Sequence, residues 1–247
     1  MRHIAICLAV AAAALSVVGC KLDDGTSRDT DRPARTLWRE VSWYMDDMMP
    51  ICRHLAALDA MLSPEWSDIA DKLEVRYFDD ATITVDEEGN YDISIFGSYD
   101  RVAAHYRIAT AGQPASEDNP WQVIYTADLA EADMVLTRDD AGLHLDLAAD
   151  YHRRECYHRA AIDLNYTVDK NRARIGVTVG GGEGRIGDME DNPSYTIAYD
   201  IAAPLKYDSS YSLMSAEVEI VYDDFIGHTT DRVRVTVDRG YATYEYM

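Results

Sequence analysis

The sequence has few basic residues and no apolar run long enough to cross a membrane. It contains 23 lysines and arginines against 44 aspartates and glutamates, a formal net charge of −21. Such a charge repels nucleic acid and anionic head groups, so we exclude nucleic acid as a partner. The most apolar segment, Ile4 to Val18, has roughly 15 residues, whereas a membrane-spanning helix needs about 20.

Familiar catalytic motifs are also missing. The chain contains no G-x-S-x-G, H-E-x-x-H or G-x-x-x-x-G-K-[ST] sequence. The glycine-rich stretch Gly180–Gly184 lacks the lysine of a phosphate-binding loop, and we predict that it forms a flexible hairpin loop after Val179. The sequence therefore predicts no cofactor, and it favours a protein that is not an enzyme without deciding the matter.

The first twenty residues have the layout of an export signal. Arg2 precedes the apolar segment, and the small residue Gly19 precedes Cys20, so we predict a signal peptide over residues 1–19. Val17–Cys20 resembles the lipobox of bacterial lipoproteins, in which the signal is removed and the cysteine sulfur receives a diacylglycerol. The resemblance implies lipidation of Cys20. With three acyl chains expected on the new terminus, the membrane anchor would be stable, because a single chain binds only marginally.

Residues 20–35 are rich in charged and small polar side chains and have little apolar surface to bury. We predict that they form a lipidated, flexible tether. Lys21, followed by Asp23 and Asp24, resembles the export signal of Bacteroidota surface lipoproteins. This resemblance implies an outer-membrane location at the cell envelope, and attachment to either the surface or the periplasmic face stays open.

Residues 36–247 are predicted to form a single domain. The stretch Ala111–Pro120 is the best candidate for a boundary, but it equally suits a long surface loop between strands.

The segment Ala34–Leu62 has the period of a helix with a wide apolar surface. Its polar positions recur every seven residues as one narrow charged strip, consisting of Arg39, Glu40, Asp46, Asp47, Arg53 and His54. Pro50 cannot donate to the carbonyl of Asp46, so it should kink the helix or divide it in two.

Later segments alternate apolar and polar residues, which is typical of antiparallel sheets with one wet face. The alternation is seen at 82–85, 101–108, 143–147, 162–168, 175–179, 217–222 and 232–237. Turn signals begin at Asp86, Arg138, Asp169 and Asp238. We predict an α+β, predominantly β fold, with the N-terminal helix packed on a strongly curved antiparallel sheet or partial barrel of long hairpins. A flat helix-on-sheet layer and a sandwich are the second and third alternatives.

Two cysteines remain in the domain, because Cys7 leaves with the signal and Cys20 is lipidated. Cys52 lies on the apolar stripe of the helix and Cys156 shares a strand face with apolar residues, so both point to the interior. A Cys52–Cys156 disulfide and two buried free thiols are equally consistent with the sequence.

The cluster Tyr151–His158, YHRRECYH, is the only stretch whose residue types suggest metal binding or catalysis. In an extended strand, His152, Arg154, Cys156 and His158 would share one face. His152, Cys156 and His158 are therefore weak candidates for metal ligands. Their spacing does not match common zinc sites, and we predict no metal.

Three functions remain open. The first is a non-catalytic binding or assembly module at the cell envelope, with the membrane and a protein or glycan as partners. The second is a carrier of an apolar ligand between helix and sheet, similar at fold level to periplasmic lipoprotein carriers, which requires a cavity lined by Met45, Met48 and Met49. The third is an envelope hydrolase, which requires His152 and His158 to converge in a cleft.

Overall fold

The computed structural model describes residues 32–128, 130–188, 196–207, 212–224 and 229–247. The predicted signal peptide 1–19, the lipidation site Cys20 and the tether up to residue 31 lie outside the described residues. The first helix begins at Arg32, before the domain boundary predicted at residue 36.

Helix α1, Arg32–Leu62, is a single helix, so Pro50 does not divide it in two. Its buried residues include Leu37, Val41, Tyr44, Met45, Met48, Cys52, Leu55 and Leu58. The predicted charged strip is confirmed, because every one of its members is exposed or half-buried. Pro50 is exposed on the same side, where water can bond the carbonyl that lacks its helical donor.

Helix α2, Ala70–Phe78, follows a short 3₁₀ turn at Pro64–Trp66. It packs against α1, where the rings of Phe78 and His54 lie 5.4 Å apart. Among the described residues, neither helix combines the length and the hydropathy that crossing a membrane demands.

Within the described residues, twelve strands form one antiparallel sheet in which each strand pairs with its neighbours in the chain, and these strands do not close into a barrel. The strands are β1 Ala81–Val85, β2 Tyr91–Phe96, β3 Val102–Ala109, β4 Trp121–Ala127, β5 Ala130–Arg138, β6 Leu143–Tyr151, β7 Cys156–Asp169, β8 Arg174–Asp188, β9 Thr196–Tyr207, β10 Leu213–Asp224, β11 Thr229–Asp238 and β12 Tyr241–Tyr246. The predicted fold class, a helix packed on an antiparallel sheet in a mainly β protein, is confirmed.

Helix α1 runs alongside β7. In the first half of the helix, Tyr44 Oη lies 2.8 Å from Cys156 Sγ, at the first residue of β7. Near its end, Tyr166 Oη donates to Asp59 Oδ2 at 2.7 Å, and Tyr166 is ten residues further along the same strand.

The sheet curves around this helix. His54 Nδ1 lies 2.9 Å from Tyr106 Oη on β3, and the Ala34 amide donates to Tyr246 Oη on β12 at 3.2 Å. A helix with side chains is only about 10–12 Å wide, so one lying along β7 of a flat sheet would not reach strands near both edges. Strand twist, accumulated over twelve strands, gives the curvature.

The turns alternate between two rims of the sheet, because consecutive strands are antiparallel neighbours. Arg154, in the β6–β7 turn, bonds Glu40 near the start of α1 at 2.5 Å. The β2–β3 and β4–β5 turns therefore lie at the same rim as the β6–β7 turn. We call it the helix-start rim, because the first residues of α1 lie on that side, and we call the opposite one the far rim. Arg138, at the end of β5, bonds Asp59 near the end of α1, so the β1–β2, β5–β6, β7–β8 and β11–β12 turns lie at the far rim.

All four predicted turn signals fall in far-rim turns. The candidate domain boundary Ala111–Pro120 is a loop that joins β3 to β4 within the same sheet. This loop is also held to α1, because the buried Ala115 amide donates to Asp59 Oδ1 at 2.9 Å.

The prediction of a hairpin loop at Gly180–Gly184 is wrong, because these residues lie inside β8. The pairing of β8 with β9 shifts its register between Val179 and Glu183, where Gly181 and Gly182 have positive φ. The glycines allow a close approach of neighbouring groups: a Cβ on Gly184 would lie 2.1 Å from the Tyr199 ring. The sequence shows the glycines but not the bulge that needs them.

Candidate functional site

The outer face of the sheet, opposite α1, carries an open groove of about 1140 Å³ that extends from β4 to β11. Three small outward residues contribute to its lining, Ala148 on β6, Ala161 on β7 and Ala198 on β9. Because these side chains end at Cβ, they leave room for a ligand between the longer charged side chains around them.

Charged residues line the groove in two cross-strand runs. Arg159 on β7 lies directly opposite Arg185 on β8. Glu183 on β8 lies opposite Asp200 on β9, which in turn lies opposite Glu219 on β10. Like charges directly opposite each other destabilise a sheet, whereas opposite charges in the same positions stabilise it. The stability of the sheet therefore does not explain this arrangement.

Some of these charges are neutralised within the fold. Glu219 accepts from Arg234 at 2.6 Å, a hydrogen bond that lowers the pKa of Glu219, and Arg159 donates to Asp150 at 3.1 Å. In the described part of the chain, no side-chain hydrogen bond or ion pair is formed by Asp146, Glu183, Asp200 or Arg185. These four side chains are available to a partner.

A second groove of about 440 Å³ adjoins the first over β1–β4. Both grooves are lined by Gln122 and Ile124 on β4, and Ile124 is 50 % exposed. The recess on the outer face therefore continues from β11 to the edge strand β1.

The inner face holds a buried polar cluster between α1 and the sheet. His158 Nε2 lies 2.7 Å from Tyr199 Oη, and the Tyr44 ring packs 5.2 Å from the His158 ring. His158 has no exposed surface, and its burial lowers its pKa to about 3, so the imidazole is neutral at neutral pH. Burial disfavours the charged form of the Cys156 side chain as well, and for a thiol this raises the pKa. A substrate in solvent does not reach this cluster.

The prediction that His152, Arg154, Cys156 and His158 share a strand face is wrong for His152 and Arg154, which lie on a turn. Strand β6 ends at Tyr151 and β7 begins at Cys156, and Glu155, with φ of 50°, completes the turn between them. The His152 side chain is 51 % exposed on that turn, whereas His158 is fully buried. The two imidazoles do not converge in a cleft. Within the described ranges, no group of three or more histidines, cysteines or acids is arranged to hold a metal ion.

Cys52 and Cys156 are both buried, and both are free thiols. Of the two alternatives left open by the sequence, a disulfide or two buried free thiols, the structure shows the second. Cys156 contacts Tyr44, and Cys52 lies two helical turns beyond Tyr44, about 12 Å along the axis. Burial raises the pKa of Cys52 to about 12, so it is a thiol at neutral pH.

Asp59 forms a second buried polar cluster that the sequence did not indicate. Its carboxylate has no exposed surface and accepts from Arg138, Tyr166 and the Ala115 amide. Three donors compensate its desolvation, and they tie the end of α1 to β5, β7 and the β3–β4 loop. Sequence alone did not mark Asp59, because its partners lie 56 to 107 residues away.

The methionines that a carrier would need as a cavity lining are packed instead. Met45, Met48 and Met49 are at most 3 % exposed and belong to the core between α1 and the sheet. Alternation in the sequence correctly placed polar residues such as Glu219 on the outward face, but the groove itself was not predicted. In comparisons with known proteins, no family model, no curated protein and no solved structure matches this chain.

Proposed function

We propose that the protein is a lipid-anchored binding module of the cell envelope, and that the groove on the outer face of its sheet is the binding surface. The observation that carries the proposal is the contrast between the two faces. Helix α1 fills the inner face, whereas the outer face keeps an open groove of about 1140 Å³. A cleft with convergent polar groups is the usual form of a binding site.

The charges in the groove support binding more than they support folding. Asp146, Glu183, Asp200 and Arg185 are exposed on rigid strands, and like charges face each other across neighbouring strands. A partner with complementary charges relieves this repulsion and gains specificity from it. A protein or a glycan fits such an open, mixed-charge surface. Nucleic acid does not, because the net charge is −21.

The role is binding rather than catalysis, and the N-terminal sequence supports its location. His158 is buried and neutral, whereas His152 is exposed on a turn. The two histidines of the cluster Tyr151–His158 therefore do not form a catalytic pair. The lipobox ending at Cys20 attaches the domain to a membrane, and the acidic residues after it favour the outer membrane.

Site-specific photo-crosslinking in cells tests the groove as a binding surface. A photoreactive amino acid replaces Ala161 in the groove, and the matched control replaces Val75, which is 67 % exposed on α2. We expect a discrete adduct from position 161 that is absent from position 75. Ala148→Trp, which fills the neighbouring part of the groove, should reduce that adduct.

Two results would contradict the proposal. One is an equal adduct pattern at positions 161 and 75, which indicates nonspecific collisions. The other is an adduct at position 161 that Ala148→Trp leaves unchanged, provided that circular dichroism shows the variant to be folded.

A further inference from the structure

The β2–β3 turn carries an aromatic side chain that the fold leaves in solvent. Tyr99 is 91 % exposed, and Val102, the first residue of β3, is 48 % exposed. On contact with a partner, tyrosine can bury its large apolar ring while its hydroxyl stays in contact with water. An amphipathic side chain at a tip is therefore suited to a boundary between an apolar and a wet medium.

The backbone of this turn is strained. Tyr99 and Asp100 have φ of 66° and 55°, two consecutive residues other than glycine in the left-handed region. Each such residue costs roughly 1–2 kcal/mol. The turn is nonetheless fixed, because the Gly97 amide donates to the Arg101 carbonyl at 2.7 Å. The fold therefore maintains an unfavourable conformation that presents the ring to the outside.

The position of this turn relates it to the predicted anchor. The β2–β3 turn lies at the helix-start rim, the rim from which the chain continues back from Arg32 to Cys20. Stretched to its limit, the segment between these two residues reaches about 40 Å. Lipidation of Cys20 thus keeps the helix-start rim within reach of the bilayer.

The distribution of charge favours the same orientation. The far-rim turns carry an excess of acidic residues, because Asp86, Glu87, Glu88, Asp139 and Asp140 are among their exposed residues and outnumber the exposed bases Lys170, Arg172 and Arg239. The described helix-start turns are balanced in charge, with the exposed bases Arg101, Arg153 and Arg154 beside the exposed acids Asp100, Asp128 and Glu155. Anionic head groups repel the far rim and tolerate the helix-start rim.

We propose that the Tyr99 tip enters the interfacial region of the bilayer that holds the lipid anchor, so that the domain stands with its helix-start rim toward the lipid. This inference rests on the proposed lipid anchoring. Tyrosine is enriched at the level of the head groups, where its ring is buried and its hydroxyl is hydrated. The contact limits the rotation of the tethered domain and directs the far rim away from the membrane.

Quenching by brominated lipid tests the contact. The full-length lipidated protein is reconstituted in phosphatidylcholine vesicles with or without bromine on the acyl chains. Tyr99→Trp places a reporter at the tip. Tyr241→Trp is the matched control, because Tyr241 is 60 % exposed and begins β12 at the far rim. Spectra are read as differences from the parent protein, which already contains four tryptophans.

The two reporters should behave differently. We expect brominated lipid to reduce the fluorescence added at position 99 by about twofold, as for a side chain at the boundary of head groups and acyl chains, and to leave that added at position 241 unchanged. Equal quenching at both positions, or none at position 99, would overturn the proposal. So would a photo-crosslinker at position 99 that gives a protein adduct in cells and no lipid adduct.

Flotation of the same vesicles separates this inference from the proposed anchoring. If the full-length protein does not float with the vesicles, anchoring itself fails. If it floats but the reporter at position 99 is not quenched, the anchor stands and only the contact of Tyr99 with lipid is wrong.

Discussion

Asp46 is a single residue whose environment sets a pH dependence for the whole fold. It lies half-buried on the charged strip of α1, beside Asp47. Burial, and then the charge of Asp47, raises the pKa of Asp46 from 3.8 to about 6. A carboxyl with a raised pKa holds its proton more tightly in the folded state than in the unfolded state. Stability is therefore lost as the pH rises through the interval between the two values.

Replacing Asp46 with asparagine should stabilise the protein at neutral pH. Because the side chain is partly exposed, we expect a gain of about 1–2 kcal/mol in the free energy of unfolding at pH 7.5, and a smaller gain at pH 4. Urea unfolding of Asp46→Asn and of the parent at both pH values measures the difference. Asp71→Asn, on the exposed side of α2, is the control and should change stability by less than about 0.5 kcal/mol. A gain for Asp46→Asn that is the same at both pH values would contradict the explanation.

Residue-level patterns in the sequence identified which side chains face the core and which face water. The charged strip of α1 and the alternation in β10 depend only on local periodicity, which each element carries in its own sequence. Asp59 could not be identified in this way, and alternation placed His158 on the face of Cys156 without indicating its hydrogen-bond partner. Their environments depend on partners such as Arg138 and Tyr199, which are distant in the chain and are brought close only by the curvature of the sheet.

Among the elements, β8 departs most from its sequence pattern. Its glycines resemble a flexible loop, because glycine weakens a strand and is common in turns. In the structure they form the bulge at which β7, β8 and β9 change register. Gly182 has φ of 117°, and a Cβ there would lie 2.3 Å from the Ala161 carbonyl oxygen. Residues with a side chain rarely adopt this backbone conformation, and a Cβ would also clash with the Ala161 carbonyl. Both reasons explain why glycine occupies position 182.

Gly182→Ala should therefore destabilise the fold strongly. We expect a loss of about 3 kcal/mol or more in the free energy of unfolding, because the Cβ and the backbone strain act together. The matched control is Gly176→Ala in the same strand, where φ is not positive and the new Cβ would meet only the Thr167 hydroxyl at 3.1 Å. The control should stay within about 0.5 kcal/mol of the parent in urea unfolding. Equal effects of the two substitutions would show that residues 180–184 behave as the loop that the sequence suggested.

For the whole molecule, the groove is a property of the sheet and of no single strand. Twist accumulates over twelve strands, and the resulting curvature encloses α1 on one face while the groove opens on the other. Alternation predicts that Asp146 and Glu219 point outward. It contains no information about the three-dimensional curvature of strands β4 to β11, which is why the groove was not predicted from the sequence.

In the proposed arrangement, the orientation of the molecule at the envelope depends on lipidation of Cys20 and on the short reach of the chain that follows it. Cys20→Ser removes the acceptor sulfur, so we expect loss of incorporated radioactive palmitate and release of the protein from the membrane fraction. Cys7→Ser is the matched control, because it changes a cysteine in the same apolar segment and should keep both the label and the membrane location. The folded domain should be unaffected in either variant, since α1 begins at Arg32. If Cys20→Ser stays in the membrane fraction without label, the chain is held there by a route other than acylation, and the lipobox resemblance does not explain its attachment.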